Sequence, residues 1–154
     1  MKFNIEYYSG IIRKELLYLE NECSFYMDYK DLNADLELII NKIALQIFNN
    51  RVFALSGFCG LNKEMLTNIK VPKSKKGILK VEHNLDYGFS YGVSDIFDYE
   101  YSVYVNIETG WVCIGNPYSK ENAVEFIDNC IVVINDDGIF NSLWLKPKSL
   151  PKIE

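Results

Sequence analysis

His83 is the only histidine of the 154-residue chain, and its four cysteines, Cys23, Cys59, Cys113 and Cys130, lie far apart. With these residues the sharpest chemistry on offer is a Cys/His pair. Cys59 or Cys113 would attack and His83 would act as general base in a small hydrolase or transferase. Such a pair needs the base within hydrogen-bond reach of the nucleophile, and no spacing in the chain supplies that. The plainer expectation for His83, which follows Glu82, is a surface or strand-end histidine. No Cys-x-x-Cys pair is present, so zinc-ligand spacing is absent and no metal is expected. Gly57-Phe58-Cys59-Gly60 lacks the further glycines and Lys-Ser/Thr ending of a phosphate loop and reads as a tight turn. Asp136-Asp137 resembles a paired-acid site, but Gly138 follows it between two apolar runs, which makes it a turn. Asp95, Asp98 and Glu100 form D-x-x-D-x-E, which departs from the regular oxygen-ligand spacing of a calcium loop. No cofactor is expected.

What remains is a distribution of charge. Between Val81 and Leu145 there are eleven acidic side chains and one basic one, Lys120. The first 80 residues hold twelve Lys/Arg against nine Asp/Glu. The net charge of -5 therefore conceals a segregation. Lys73, Lys75, Lys76 and Lys80 form a small basic cluster, but a chain of pI about 5.0 lacks the broad basic field of a nucleic-acid binder, so no direct nucleic-acid contact is expected. Aromatic residues crowd the acidic half: Tyr87, Phe89, Tyr91, Phe97, Tyr99, Tyr101, Tyr104 and Trp111. Exposed acid with tyrosine suits the capture of a cationic protein, because a tyrosine ring gives contact area at low entropic cost. Plain solubility is the competing explanation of an acidic surface.

The elements that must position these residues are read from periodicity. Phe3 to Tyr8 alternates as a first strand. Ile12, Leu16 and Leu19 have helical spacing, which predicts a helix over 11–21, and Ser24 to Tyr29 is strand-like. Leu36, Ile39, Ile40, Ile43 and Ile47 form an i, i+3, i+4, i+7, i+11 stripe, which predicts a core helix capped by Asp31 or Asn33 and ended by Asn49-Asn50. Val52 to Ser56 and Ile78 to Glu82 read as strands, with a short helix over 62–68 between them. A Gly/Tyr/Asp loop runs from Asp86 to Gly92. Tyr99 to Ile107 alternates, Glu108-Thr109-Gly110 turns, and Trp111 to Ile114 returns. Ser119 is expected to cap a helix reaching Ile127. Ile131 to Ile134 and Ile139 to Leu145 make a second hairpin.

Helices early and hairpins late predict a single α+β domain over residues 1–154: an antiparallel sheet with C-terminal hairpins, helices packed on one face, and a loosely ordered tail from 146 to 154. No G-x-G-x-x-G motif and no βαβ rhythm support a nucleotide-binding doubly wound fold. The start, Met1-Lys2-Phe3-Asn4-Ile5-Glu6, carries charge where a signal peptide needs an apolar run, and no apolar run has membrane-spanning length, so a cytoplasmic protein with buried free thiols and no membrane contact is expected.

Two stretches, Tyr104-Val105-Asn106-Ile107-Glu108-Thr109-Gly110-Trp111-Val112-Cys113-Ile114-Gly115 and Asp137-Gly138-Ile139-Phe140-Asn141-Ser142-Leu143-Trp144-Leu145-Lys146-Pro147, resemble bacterial immunity proteins of polymorphic-toxin systems, including contact-dependent growth inhibition. The resemblance covers the last third of the chain and is one of style rather than of a diagnostic motif. It implies a non-catalytic inhibitor that binds a cognate toxin domain, many of which are nucleases with cationic clefts. On that reading the contact residues are Asp86, Tyr87, Tyr91, Asp95, Asp98 and Glu100. A Cys/His enzyme and a non-catalytic adaptor or small-ligand module are the alternatives.

Overall fold

The structure is a computed structural model that describes residues 1–8, 10–29 and 33–153. It corrects the expected class. The chain is nearly all β, built as one large mixed sheet, and no helix of seven or more residues occurs among the described residues. Helical geometry is confined there to two one-turn 3-10 segments, Glu20–Glu22 and Lys63–Met65. Thirteen strands form the sheet: β1 (Phe3–Tyr7), β2 (Leu17–Leu19), β3 (Ser24–Tyr26), β4 (Leu36–Ile40), β5 (Lys42–Phe48), β6 (Arg51–Phe58), β7 (Lys75–Val81), β8 (Ser90–Gly92), β9 (Val103–Asn106), β10 (Trp111–Gly115), β11 (Ala123–Ile127), β12 (Cys130–Ile134) and β13 (Phe140–Leu145). Their order is β8-β4-β5-β6-β7-β11-β12-β13-β10-β9, with β1 on β7 and the β2–β3 pair on β6.

The expected core helix over 36–47 is a β-hairpin. Leu36, Leu38 and Ile40 alternate inward along β4, and Ile43, Leu45 and Ile47 do so along β5. The isoleucines that fit a helical stripe also fit a period of two, and their β-branching favours the pleated alternative. Ile40 faces Ile43 across Asn41-Lys42, and Asn41 takes the left-handed conformation that closes so short a connection (φ 55°). Asn49-Asn50, expected to end the helix, is instead the hairpin turn between Phe48 and Arg51, with φ of 51° and 62°. Asn33 precedes this hairpin and caps no helix, while the other expected cap, Asp31, lies outside the described residues.

The expected helix over 11–21 is extended chain, bridged at Ile12 to Ile127, followed by β2 and a 3-10 turn. The helix expected from Ser119 is β11, which pairs with β12 across Asp128-Asn129. Asn129 has φ 63°, so asparagine again makes the reversal. The segment expected as a helix over 62–68 keeps only its 3-10 turn, capped by the Asn62 side chain accepting from the Glu64 amide at 3.0 Å. The last two hairpins lie where alternation placed them. The tail 146–153 is tied to the body: the Lys148 amide donates to the Leu16 carbonyl at 2.9 Å, and Leu150 and Ile153 pack on the core.

The main core takes residues from both halves of the sheet, among them Leu38, Leu45, Leu55 and Leu79 with Val112, Val124, Val132 and Leu143. The sheet curls on itself, and the connection from β8 to β9, its two end strands, crosses the seam. A second, smaller core of Cys113, Ala123, Ile131, Val133 and Trp144 lies on the other side of the C-terminal strands, and Ile69 and Val71 help to cover it. No helix among the described residues is long and apolar enough to cross a membrane.

Candidate protein-binding surface at the sheet seam

The segment that crosses the seam contains the six residues the sequence singled out. It is anchored at each end. Upstream, β8 pairs in parallel with β4, Gly88 donates its amide to the Asp35 carbonyl at 2.7 Å, and the Glu37 amide donates to the Phe89 carbonyl at 3.1 Å. Ser90 Oγ donates to Glu37 Oε1 at 2.8 Å, and Val93 is buried. Downstream, the Asn41 carboxamide grips the Tyr101 backbone: Nδ2 donates to the carbonyl at 2.9 Å and Oδ1 accepts from the amide at 2.7 Å. The Tyr101 ring packs edge-on against Phe140, with centroids 5.1 Å apart. Partial burial raises its phenol pKa, while a hydrogen bond with Ser94 opposes the rise.

Between Val93 and Tyr101 the chain makes a folded excursion. The Ile96 amide donates to Ser94 Oγ at 3.1 Å, and the Tyr99 amide donates to the Ile96 carbonyl at 3.3 Å. Asp98 adopts a left-handed conformation, φ 56°, which aspartate tolerates better than most residues. The excursion presents Phe97, 97% exposed, and Ile96, 64% exposed. Asp95, Asp98 and Glu100 are exposed beside them, and Tyr99 stacks edge-on against Tyr101 with centroids 4.7 Å apart. A cleft of about 420 Å³ runs beneath, bounded by Ile39, Asn41, Asp95, Phe97, Asp98 and Tyr101 among others. Tyr87 and Phe89 are exposed on the preceding turn.

The six expected residues thus fall on one continuous segment, but in different roles. Tyr91 is half-buried, and its hydroxyl accepts from the Asp86 amide at 3.1 Å and donates to the Asp86 carbonyl at 3.3 Å. It shapes the loop. Asp95 lies 3.4 Å from the Met1 amine. Among the described residues, the carboxylates of Asp86, Asp98 and Glu100 have no cation within 4 Å. Sequence reasoning missed Ile96 and Phe97 as contact residues and Asn41 as the clamp. An apolar pair bracketed by Asp95 and Asp98, in a segment without periodicity, was the available signal for the first two. For Asn41 no local signal existed, since its partner is 60 residues away.

The clamp is testable. Asn41→Gly keeps the left-handed turn and removes both side-chain bonds, so about 1–2 kcal/mol of local stability is lost. The Tyr101 amide should exchange its hydrogen roughly tenfold faster, with the β12 amides unchanged. Unchanged exchange at Tyr101 would show that the rings alone hold the loop.

The nucleophile candidates are not placed for catalysis. Cys59 belongs to the main core and Cys113 to the smaller one. Burial pushes each thiol up to about 12, with Glu100 adding to the rise at Cys59, so little thiolate forms near neutrality. Exposed His83 follows β7, and its Nε2 accepts from the Lys2 amide at 2.8 Å. All four cysteines are free, and no metal-holding group of His, Cys, Asp and Glu occurs among the described residues. Asp136 and Asp137 lie in the turn between β12 and β13, where Asn135 Oδ1 accepts from the Asp137 and Ile139 amides at 2.9 Å each. No protein-family model matches the chain, and neither a curated protein nor a solved structure is significantly similar to it.

Proposed function

We propose that this chain is an immunity protein of the bacterial polymorphic-toxin type, which binds a cognate toxin domain stoichiometrically in the cytoplasm and neutralises it. The observation that carries the reading is the seam segment. Apolar rings project beyond the sheet, carboxylates without internal cations surround them, and both ends of the segment are pinned. Monomeric proteins rarely expose contiguous apolar patches unless something covers them. Pinning the ends lowers the ordering cost of binding. Uncompensated carboxylates around the rings favour a cationic partner and accelerate encounter with it. A nuclease domain with a cationic substrate cleft meets these requirements, and the acidic rim would lie where the nucleic-acid backbone does.

The direct test is co-expression with the toxin domain encoded beside this gene. Growth should be restored and the two chains should co-purify in a fixed ratio. A neighbouring product that is not toxic, or toxicity that persists, overturns the reading. The acidic rim has its own test. Changing Asp95, Asp98 and Glu100 together to lysine should slow association about tenfold or more at low salt and flatten its salt dependence. An unaltered rate would place the contact elsewhere.

A further inference from the structure

The only cation between Val81 and Leu145, Lys120, is not isolated in space. Strands β7 and β11 pair in parallel at Lys75–Lys76 and Val124–Glu125, so the segments leading into them run side by side. That pairing brings Lys120 to the same cleft as Lys70 and Lys73. The cleft has a volume of about 400 Å³. Buried Pro72 and Pro117 line it with half-buried Ile69 and Val71, whose packing on the smaller core fixes them. Tyr118, 73% exposed, stands at the rim. Among the described residues, none of the three ammonium groups has a carboxylate within 4 Å. An acidic protein has therefore gathered three unneutralised cations at one concave, partly apolar site.

We propose that this cleft binds a nucleotide, its phosphates against Lys70, Lys73 and Lys120 and its base on the Tyr118 ring. Lysine is a point charge suited to phosphate, and the planar fork of arginine that favours carboxylate is absent. The volume lies within the range of small-ligand sites. The exposed ring offers a stacking face to any base. The chain's net charge of -5 argues against an extended strand, whose further phosphates would meet an acidic field.

The test is a titration of the full chain at low salt with ADP, inorganic phosphate and a short single-stranded oligonucleotide. ADP should bind saturably with Kd below about 1 mM. Inorganic phosphate should bind about tenfold more weakly, lacking the stacked base. Lys120→Gln should weaken both at least about fivefold. Tyr118→Ala should weaken ADP about tenfold and leave phosphate unchanged. These side chains are exposed, and a circular dichroism spectrum establishes that each variant is folded. Absence of saturable ADP binding overturns the proposal, as does ADP affinity indifferent to Lys120→Gln. Tighter binding of the oligonucleotide than of ADP would also overturn it, assigning the cleft to a nucleic-acid end.

Discussion

Phe97→Ala should weaken the complex with the toxin domain at least about thirtyfold and leave the stability of the free protein unchanged. Interface residues whose truncation costs about 2 kcal/mol or more are few, and they are large side chains near the centre of the contact. Phe97 fits that position. It is almost wholly exposed, so its ring contributes nearly nothing to the fold and is available to a partner pocket. Asp95 and Asp98 flank it, so the rim that excludes water would also carry the charge. The excursion's backbone is held by Ser94 Oγ and by the Tyr99–Ile96 hydrogen bond, which fixes the direction in which the ring projects.

The expected signature separates anchoring from steering. Phe97→Ala should act on dissociation, because it removes a desolvated contact, whereas the rim reversals act on association. Calorimetric affinity and stopped-flow rates on one pair of purified proteins distinguish the two. Wild-type affinity for the Phe97→Ala variant, with an unchanged denaturation midpoint, would remove the seam loop from the interface.

Alternation was legible wherever one face of a strand is buried and the next is wet. The β9–β10 and β12–β13 hairpins were readable for that reason, as was the turn at Asp136-Asp137-Gly138. The hairpin of β4 and β5 was not. Ile39, Ile40, Ile43 and Ile47 satisfy a helical stripe and a pleated strand at once, and Leu38 and Leu45, which settle the matter, sit between them. The reversal at Asn41 breaks the two-residue period, so the eye finds three and four. Asparagine recurs with positive φ at 41, 49, 50, 122 and 129. Its frequency in the composition is itself a turn signal. The candidate site was legible in its acidic and tyrosine content. Its anchoring was not, because the groups that hold it, Glu37, Asn41 and Phe140, come from distant parts of the chain.

Gly57→Ala should cost about 3 kcal/mol or more, the largest stability loss expected here from so small a change. Gly57 lies in β6 between two partners, facing Ile43 of β5 and Phe25 of β3. Its φ of 150° is a conformation that side chains rarely adopt. A methyl group there would lie 2.2 Å from the Lys42 carbonyl oxygen and 2.7 Å from Ile43 Cα. These are backbone atoms of the neighbouring strand and cannot swing aside as a lysine tip can. Relief requires β5 to separate from β6, where Leu45 and Leu55 are fully buried. Overpacking and backbone strain each contribute about 1–3 kcal/mol. Gly88→Ala supplies the comparison: its φ is also positive, at 82°, but nothing lies within 4 Å of the added methyl, so only about 1 kcal/mol should be lost. Chemical denaturation followed by tryptophan fluorescence measures both, and equal losses would refute the steric argument. The larger strain also has a local consequence. Lys42 adjoins Asn41, so displacing its carbonyl disturbs the clamp on Tyr101. In the Gly57→Ala variant the seam loop should therefore lose amide protection before the C-terminal hairpins do.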